Sequence, residues 1–441
     1  MRDIALTLFV FGMLPIILLR PHWGVLLWTW IGLMNPHRLS WGFAHDFEFA
    51  AVVGVVTIIA VLMSRERKRL PLTPPVIVLA ALILWMTVST IFSFYPDEAW
   101  IQWEKIIKIQ VFIFLTLLVM QQRERIIALV WVSTLSVAFF GIKGGIYTLT
   151  SGGSGMVLGP DGTFIAGNTE ISLALTMTIP LMRWLQLQAP QRWMRWALGL
   201  AMALTAIAVV GSYSRGGLLA IFGMGAVLWF KSRKKLLFTI VLIALIPAVL
   251  VSMPEKWFER MSTIQTYEYD SSAMGRINAW EFAYNLAKAH PFTGGGFRVF
   301  QENAFERFAP NATDVHDAHS IWFQFLGEHG FVGLSLFLLL WAFTWRTGSS
   351  IIRASRGRDD LQWAGDLAGM VQVCLVGYWI GGSFLGLGYW DYPYILMVIL
   401  VLTSVVSRKE LQRKPLPAAL ASIEIARLTH GQESRKSRAA G

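Results

Sequence analysis

The chain has 441 residues, 55% of them hydrophobic and only 15% charged, with a mean hydropathy of +0.53. Soluble domains carry roughly 25% charged residues, so this composition excludes a water-soluble globule. The single cysteine, Cys374, excludes a disulfide scaffold, and the excess of 38 Lys+Arg over 27 Asp+Glu has no polar domain on which to build a nucleic-acid surface.

What remains is an all-α polytopic membrane protein, whose 20 Trp and 28 Phe suit both a packed core and the aromatic belts of a bilayer. A helix crosses the hydrocarbon core with roughly 20 apolar residues. Residues 4–19 and 22–34 are apolar but short, and Arg20, Pro21 and His22 interrupt them. The Met1-Arg2-Asp3 start lacks a small-residue cleavage site after a short apolar core, so no removed signal peptide is expected. Clear spans are predicted at 47–63, 76–94, 104–120, 126–148, 169–187, 197–213, 216–230, 236–252, 319–343, 364–386 and 391–407.

Charge orients these spans. Basic clusters fall at Arg65–Arg69, Arg123/Arg125, Arg183/Arg192/Arg195, Lys231–Lys235, Arg346–Arg358 and the tail from Arg408. An even number of spans separates neighbouring clusters, so all lie on one side, which the positive-inside rule makes cytoplasmic. The opposite, outer side holds one long hydrophilic stretch, 253–318, with 6 Lys+Arg against 9 Asp+Glu. If residues 4–34 cross once or re-enter there are twelve spans and both termini are cytoplasmic; if they cross twice, thirteen, with the N-terminus outside. Twelve is the expectation. The chain then divides into transmembrane helices over 1–252, a periplasmic loop subdomain over 253–318, C-terminal helices over 319–407 and a basic cytoplasmic tail over 408–441.

A loop of that length is more than a connector. Ser271 and Ser272 can cap a helix from about Gly275 to Ala289, with Ile277, Trp280, Tyr284 and Ala287 close to one stripe. His290-Pro291 ends it, Gly294-Gly295-Gly296 makes a turn, and a second helix is predicted at about Phe297 to Ala309. Asn311-Ala312-Thr313 has the form of a glycosylation acceptor, a tripeptide frequent by chance.

Candidate chemistry gathers on this outer side. Arg215, in Gly211-Ser212-Tyr213-Ser214-Arg215-Gly216-Gly217, falls where two apolar spans meet with almost no connector. It is either a snorkelling arginine that caps a tight turn or an anion clamp, since a guanidinium binds phosphate oxygens bidentately. His316 and His319 stand where the loop meets the next span, with Asp314 and Asp317 beside them. A spacing of three on a helix can direct two imidazoles to a metal, but no further ligand set accompanies them, so a general base ranks first and no metal is expected. Arg276 and Arg298 flank the glycine run and can reach an anion or pair with loop carboxylates. Lys108 has Glu104 one helical turn before it, a sufficient structural partner; Lys143 has none nearby in sequence; Asn168 and Glu170 open the span 169–187 as supporting groups. No GxxxxGK[ST] and no GxGxxG on a strand–turn–helix is present, so neither ATP nor another cofactor is expected.

Three blocks of the sequence resemble the O-antigen ligase/polymerase superfamily of bacterial envelope glycosyltransferases, in its order. Ser214-Arg215-Gly216-Gly217 is similar to the family's Ser-Arg-Gly turn before a span. Gly275-Arg276-Ile277-Asn278-Ala279-Trp280, then Pro291 and Gly294-Gly295-Gly296, resembles its Arg…Trp…Pro…Gly-x-Gly loop. Ala318-His319-Ser320-Ile321, running on to Gly327-Glu328-His329-Gly330-Phe331-Val332-Gly333, resembles its His-Asn…Glu-x-Gly-x-x-Gly signature, with Ser320 in place of Asn. The likeness spans about Asn168 to Leu340. The N-terminal half, with Gly159-Pro160-Asp161-Gly162, looks like the branch of O-glycosylation ligases that accompany exosortase systems.

The resemblance implies a GT-C-like membrane fold and inverting, metal-independent transfer of a glycan from an undecaprenyl-diphosphate-linked donor. The acceptor would be a hydroxyl of a glycan or a protein. Carried over by position, Arg215 and Arg276 bind the diphosphate and His319 acts as base; Arg298 joins the arginines as a candidate, and His316, Asp317, Lys108, Lys143 and Glu170 stand as secondary ones. A polymerase of lipid-linked repeat units shares the same blocks. A transporter for an anionic or lipid-linked substrate is the reading from a different class, with Arg215 lining its path.

Overall fold

The structure, a computed structural model, describes residues 1–66, 68–231, 235, 239, 243, 253–262, 271–309, 312 and 315–412. The predicted span 236–252, much of the Lys231–Lys235 cluster, Asn311 and Thr313 of the acceptor tripeptide, Asp314 and the tail from 413 lie outside these residues. The side chains of Ser271 and Ser272 do too.

Among the described residues the architecture is helical throughout, with fifteen α-helices and no strand. In chain order they are α1 (Arg2–Leu19), α2 (Pro21–Met34), α3 (Phe49–Met63), α4 (Pro74–Ile91), α5 (Pro96–Val119), α6 (Arg123–Thr150), α7 (Asn168–Gln188) and α8 (Arg192–Gly211). They continue as α9 (Arg215–Lys231), α10 (Glu255–Ser262), α11 (Ser271–Ala289), α12 (Glu302–Phe308), α13 (Ile321–Ala354), α14 (Gln362–Gly382) and α15 (Asp391–Gln412). Pro21, Pro74 and Pro96 each open a helix, where a missing N–H costs nothing. By length and composition six helical stretches are apolar enough to cross a membrane, among them α4, α6, α8 and α13, and α3 and α9 are shorter apolar helices. This is a multi-pass, all-α membrane architecture.

α7 and α15 are the innermost helices, buried over most of their length. Around α7, helices α6 and α8 approach closely because Gly141 faces Thr205 and Gly145 faces the Leu204 carbonyl. A Cβ at Gly145 would stand 2.2 Å from that oxygen. Small residues at such crossings let backbones approach where lipid supplies no hydrophobic drive.

The N-terminal stretch departs from a single crossing. α1 and α2 fold back on each other as an antiparallel hairpin hinged at Arg20, with the Phe9 and Trp30 rings 5.5 Å apart, edge to face. Asp3 Oδ1 accepts from the backbone N–H groups of Gly42 and Ala44 at 3.0 and 3.2 Å, so the chain returns to the level at which it began. Pro21 ends any continuation of α1, and left-handed Asn35 (φ 48°) terminates α2.

Among the described residues, the Arg65–Arg69 and Arg123/Arg125 clusters meet at one end of the bundle. Arg125 forms a bidentate pair with Glu66, Gln121 donates to the Arg69 carbonyl, and Arg123 lies over the Trp363 ring at 4.6 Å. The opposite end carries α10, α11 and α12. Here two expectations are corrected. The buried face of α11 is Ala279, Phe282, Ala283, Leu286 and, as expected, Ala287, whereas Ile277 and Tyr284 are exposed, because Phe282 stacks on Phe305 of α12 at 4.3 Å. The second helix begins only at Glu302. Residues 297–301 are held out of it, since Arg298 sits at φ 61° with its N–H committed elsewhere.

Candidate active site

The turn before α9 is built by short hydrogen bonds. Ser214 Oγ accepts from the Gly217 N–H at 3.0 Å, a cap that satisfies one orphan donor of the first turn. Asn168, the first residue of α7, donates through Nδ2 to the Ser212 carbonyl at 2.9 Å. α10 locks the turn from outside: Trp257 Nε1 donates to Val210 O and Arg260 Nε to Tyr213 O. Gly217 packs so tightly on α7 that a Cβ would collide with Ser172, and one on Gly216 would meet Thr169 and Phe384 at 3.6 Å. Arg215, half-buried, is thereby anchored beside the first turn of α7, which carries Glu170.

Phe384 links this turn to the next block. Its ring lies 6.4 Å from that of Trp280 on α11, which also stacks on Phe323 at 5.1 Å and donates through Nε1 to the Ala318 carbonyl at 2.8 Å. That last bond holds the residue preceding His319. One turn before Trp280 on α11 stands Arg276, close enough to act electrostatically on both Glu170 and His319. His316 lies over the Gly275 backbone, where a Cβ would meet its ring at 2.2 Å, and its centroid is 6.5 Å from that of His319.

His319 therefore sits in a cationic, half-buried corner. Burial first, and the Arg276 charge second, hold its imidazole below the usual pKa of about 6.5; His316 adds to this and Asp317 opposes it. A neutral imidazole follows at neutral pH, with a free lone pair. The residue adopts φ 41°, and Tyr213 and Arg298 are likewise left-handed, so three of the four such non-glycine residues among those described lie in these blocks. Strained backbone of this kind persists where surrounding contacts over-determine it. Ser320, next in sequence, is buried with no hydrogen-bond partner for its hydroxyl among the described residues.

The glycine run has a structural task. Gly295 and Gly296 donate their N–H groups to the carbonyls of Gly327 and Glu328 at 2.9 Å each, and Phe331 N–H returns to the Pro291 carbonyl. Gly294, Gly296 and Gly330 all have positive φ, and a Cβ on Gly330 would stand 2.3 Å from the Phe292 oxygen. Glu328 closes the junction: its carboxylate accepts from Tyr389 Oη and, at 3.0 Å, from the Arg298 N–H. His329 continues the chain, with Nε2 2.7 Å from Tyr389 Oη and Nδ1 2.6 Å from Ser89 Oγ. The Ser89 hydroxyl also donates to the Met86 carbonyl at 3.0 Å, so it can accept from Nδ1–H of His329, while Tyr389 Oη donates to Glu328. Sequence reasoning missed His329, Tyr389 and Ser89, which no local spacing connects.

The predicted residues divide accordingly. The fold brings Glu170, Arg276, His316, Asp317 and His319 into one neighbourhood beside the Arg215 turn. Arg298 is directed elsewhere, its exposed guanidinium 3.4 Å from Gln102 and within electrostatic range of Lys105 on α5. Lys108 pairs with Glu104 at 2.6 Å. Lys143 lines a separate pocket with Arg38 and Asp161. No three His, Cys, Asp or Glu side chains among the described residues surround a common point.

Comparison with known families divides the chain in two. Residues 200–338 match the family described as O-antigen ligase, a segment that contains the Arg215 turn, α11, the glycine run and His319. Residues 1–189 match a family of unknown function (DUF5935). No curated protein matches the chain.

Proposed function

The chain belongs to the O-antigen ligase superfamily through residues 200–338, and on that premise we propose that it is a membrane glycan ligase working at the periplasmic face. The donor is a glycan on undecaprenyl diphosphate and the acceptor a hydroxyl of a second glycan or of a protein. The observation that carries this reading is the neighbourhood of Arg276, His319 and Glu170 next to the anchored Arg215 turn.

The chemistry asks little more of the protein. The acceptor oxygen attacks the anomeric carbon from the face opposite the diphosphate. The C–O bond to the diphosphate breaks with inversion, and the hydroxyl proton passes to a ring nitrogen of His319. Lipid diphosphate is already a good leaving group, so the main need is positive charge where negative charge develops. Arg215 and Arg276 supply it without a metal, as fixed guanidinium groups suited to phosphate oxygens. A neutral His319 is the form able to take the proton. The Glu328–Tyr389–His329 chain positions the glycine run.

The test is a reconstituted assay with lipid-linked donor and a separate acceptor. Glycosylated acceptor and free lipid diphosphate are expected, and His319→Ala lowers transfer by roughly 10²–10⁴-fold while the protein still inserts. A longer lipid-linked chain as the only product would assign the same site to a polymerase. Undiminished transfer by His319→Ala would remove His319 as base.

A further inference from the structure

Away from the His319 group, the same end of the bundle holds a pocket of about 980 Å³, at the upper end of the usual ligand-cavity range. Every residue lining it belongs to the N-terminal segment that matches the family of unknown function. Two of its charged groups are paired. Asp46 Oδ1 accepts from Arg38 Nη1 at 3.1 Å and lies 2.9 Å from His45 Nδ1. Arg38 in turn packs under Gly162, where a Cβ would be 3.5 Å from the guanidinium carbon, so the loop after α6 closes over it.

Two further features give the pocket a preference. Lys143 is exposed on its wall, and among the described residues no carboxylate lies within ion-pair distance of the ammonium. With Arg2 and Arg38 against Asp46 and Asp161, positive charge is in excess. Trp41 stands at the rim, 91% exposed, its indole face open. Depth is legible from α6: Lys143 lies 20 residues beyond Arg123, about 30 Å at about 1.5 Å per residue, which is the thickness of the hydrocarbon core. The pocket therefore opens where the chain leaves lipid. Asp161 is nine residues from Glu170, at most about 32 Å of extended backbone, so one extended oligosaccharide can reach both places.

We propose that this pocket is a subsite for an anionic saccharide segment of the substrate, with a carboxylate or phosphate on Lys143 and a pyranose ring against Trp41. The substrate class rests on the glycan-ligase reading above. Sugar hydroxyls accept from and donate to the Arg38–Asp46 pair, and the apolar C–H face of a pyranose covers indole as other flat apolar surfaces do.

Calorimetric titration of the purified protein in nanodiscs of neutral lipid, with trigalacturonate and with maltotriose as probes, tests this. Saturable binding of trigalacturonate in preference to maltotriose is expected. Lys143→Ala should weaken trigalacturonate binding at least tenfold and erase the preference; Trp41→Ala should weaken it as well; His319→Ala should leave it unchanged. Both substituted side chains are exposed, so folding is preserved. No saturable binding by the unsubstituted protein, or binding that neither substitution changes, overturns the proposal, the latter leaving Trp41 as an interfacial anchor. The readout is binding, not transfer. A protein that binds trigalacturonate through Lys143 yet moves no glycan would sink the ligase reading alone, and active transfer without this binding would sink the subsite alone.

Discussion

His319 combines three conditions that a base for hydroxyl activation requires: a nearby arginine for the leaving group, a depressed pKa and a fixed backbone. The sign of the pH dependence follows. Burial and Arg276 disfavour the imidazolium, so the neutral ring persists to lower pH than in an unperturbed histidine. Transfer should be level near neutral pH and fall as pH drops through that lowered pKa, seen as the acid limb of kcat/KM. Asp317→Asn removes an opposing charge and should move that limb to lower pH, whereas Arg276→Ala should move the residual activity's limb upward. Shifts in the same direction would break the assignment. His319→Ala should cost roughly 10²–10⁴-fold in rate, the usual contribution of a positioned base. The residue types at 215, 276 and 319 are legible in the sequence as wrong-side cations and a lone junction histidine. Their convergence is not, because it depends on Asn168 reaching Ser212 and Trp280 reaching Ala318 across 44 and 38 residues.

At the level of elements, the loop between α11 and α12 is held against α13 by backbone hydrogen bonds that glycine alone permits at several positions. Gly330→Ala would place a methyl group 2.3 Å from the Phe292 oxygen at φ 67°. The strained backbone alone costs on the order of 1–3 kcal/mol, and the collision adds to it. Released from α13, the loop should become sensitive to limited proteolysis between α10 and α13, and transfer should fall with it. Unchanged proteolysis together with lost transfer would instead place Gly330 in direct contact with substrate. The same junction explains why the helix expected from Phe297 begins at Glu302. The apolar spacing of Phe297, Phe300 and Ala304 is helical, yet the Arg298 N–H goes to Glu328, and a donor committed across the fold cannot serve a local turn. Periodicity reports what a segment would do by itself, and here a buried carboxylate 30 residues later outweighs it.

Among the described residues, the Arg65–Arg69 and Arg123/Arg125 clusters lie at one end of the bundle and α10, α11 and α12 at the other. The α1–α2 hairpin brings the N-terminus level with residues 42–44, at the end that carries the Lys143 pocket and the His319 group. In a Cys374→Ser background, single cysteines near Met1 and at Gly42 should be labelled by an impermeant reagent from the same side as the 253–318 loop. One near Arg358 should react only after permeabilisation. Labelling of Met1 and Gly42 from opposite sides would undo the hairpin. The all-α membrane class is readable from the sequence, because hydrocarbon thickness sets helix length and backbone hydrogen bonds must close within each segment, whereas the fold-back of α1 on α2 is not. Those constraints are local, and so is the chemistry of each motif. Which motifs share a site is a matter of packing between distant helices. It was the tertiary contacts of α7, α11 and α13 that set His319 beside Arg276, turned Arg298 toward α5 and gave Lys143 a pocket of its own.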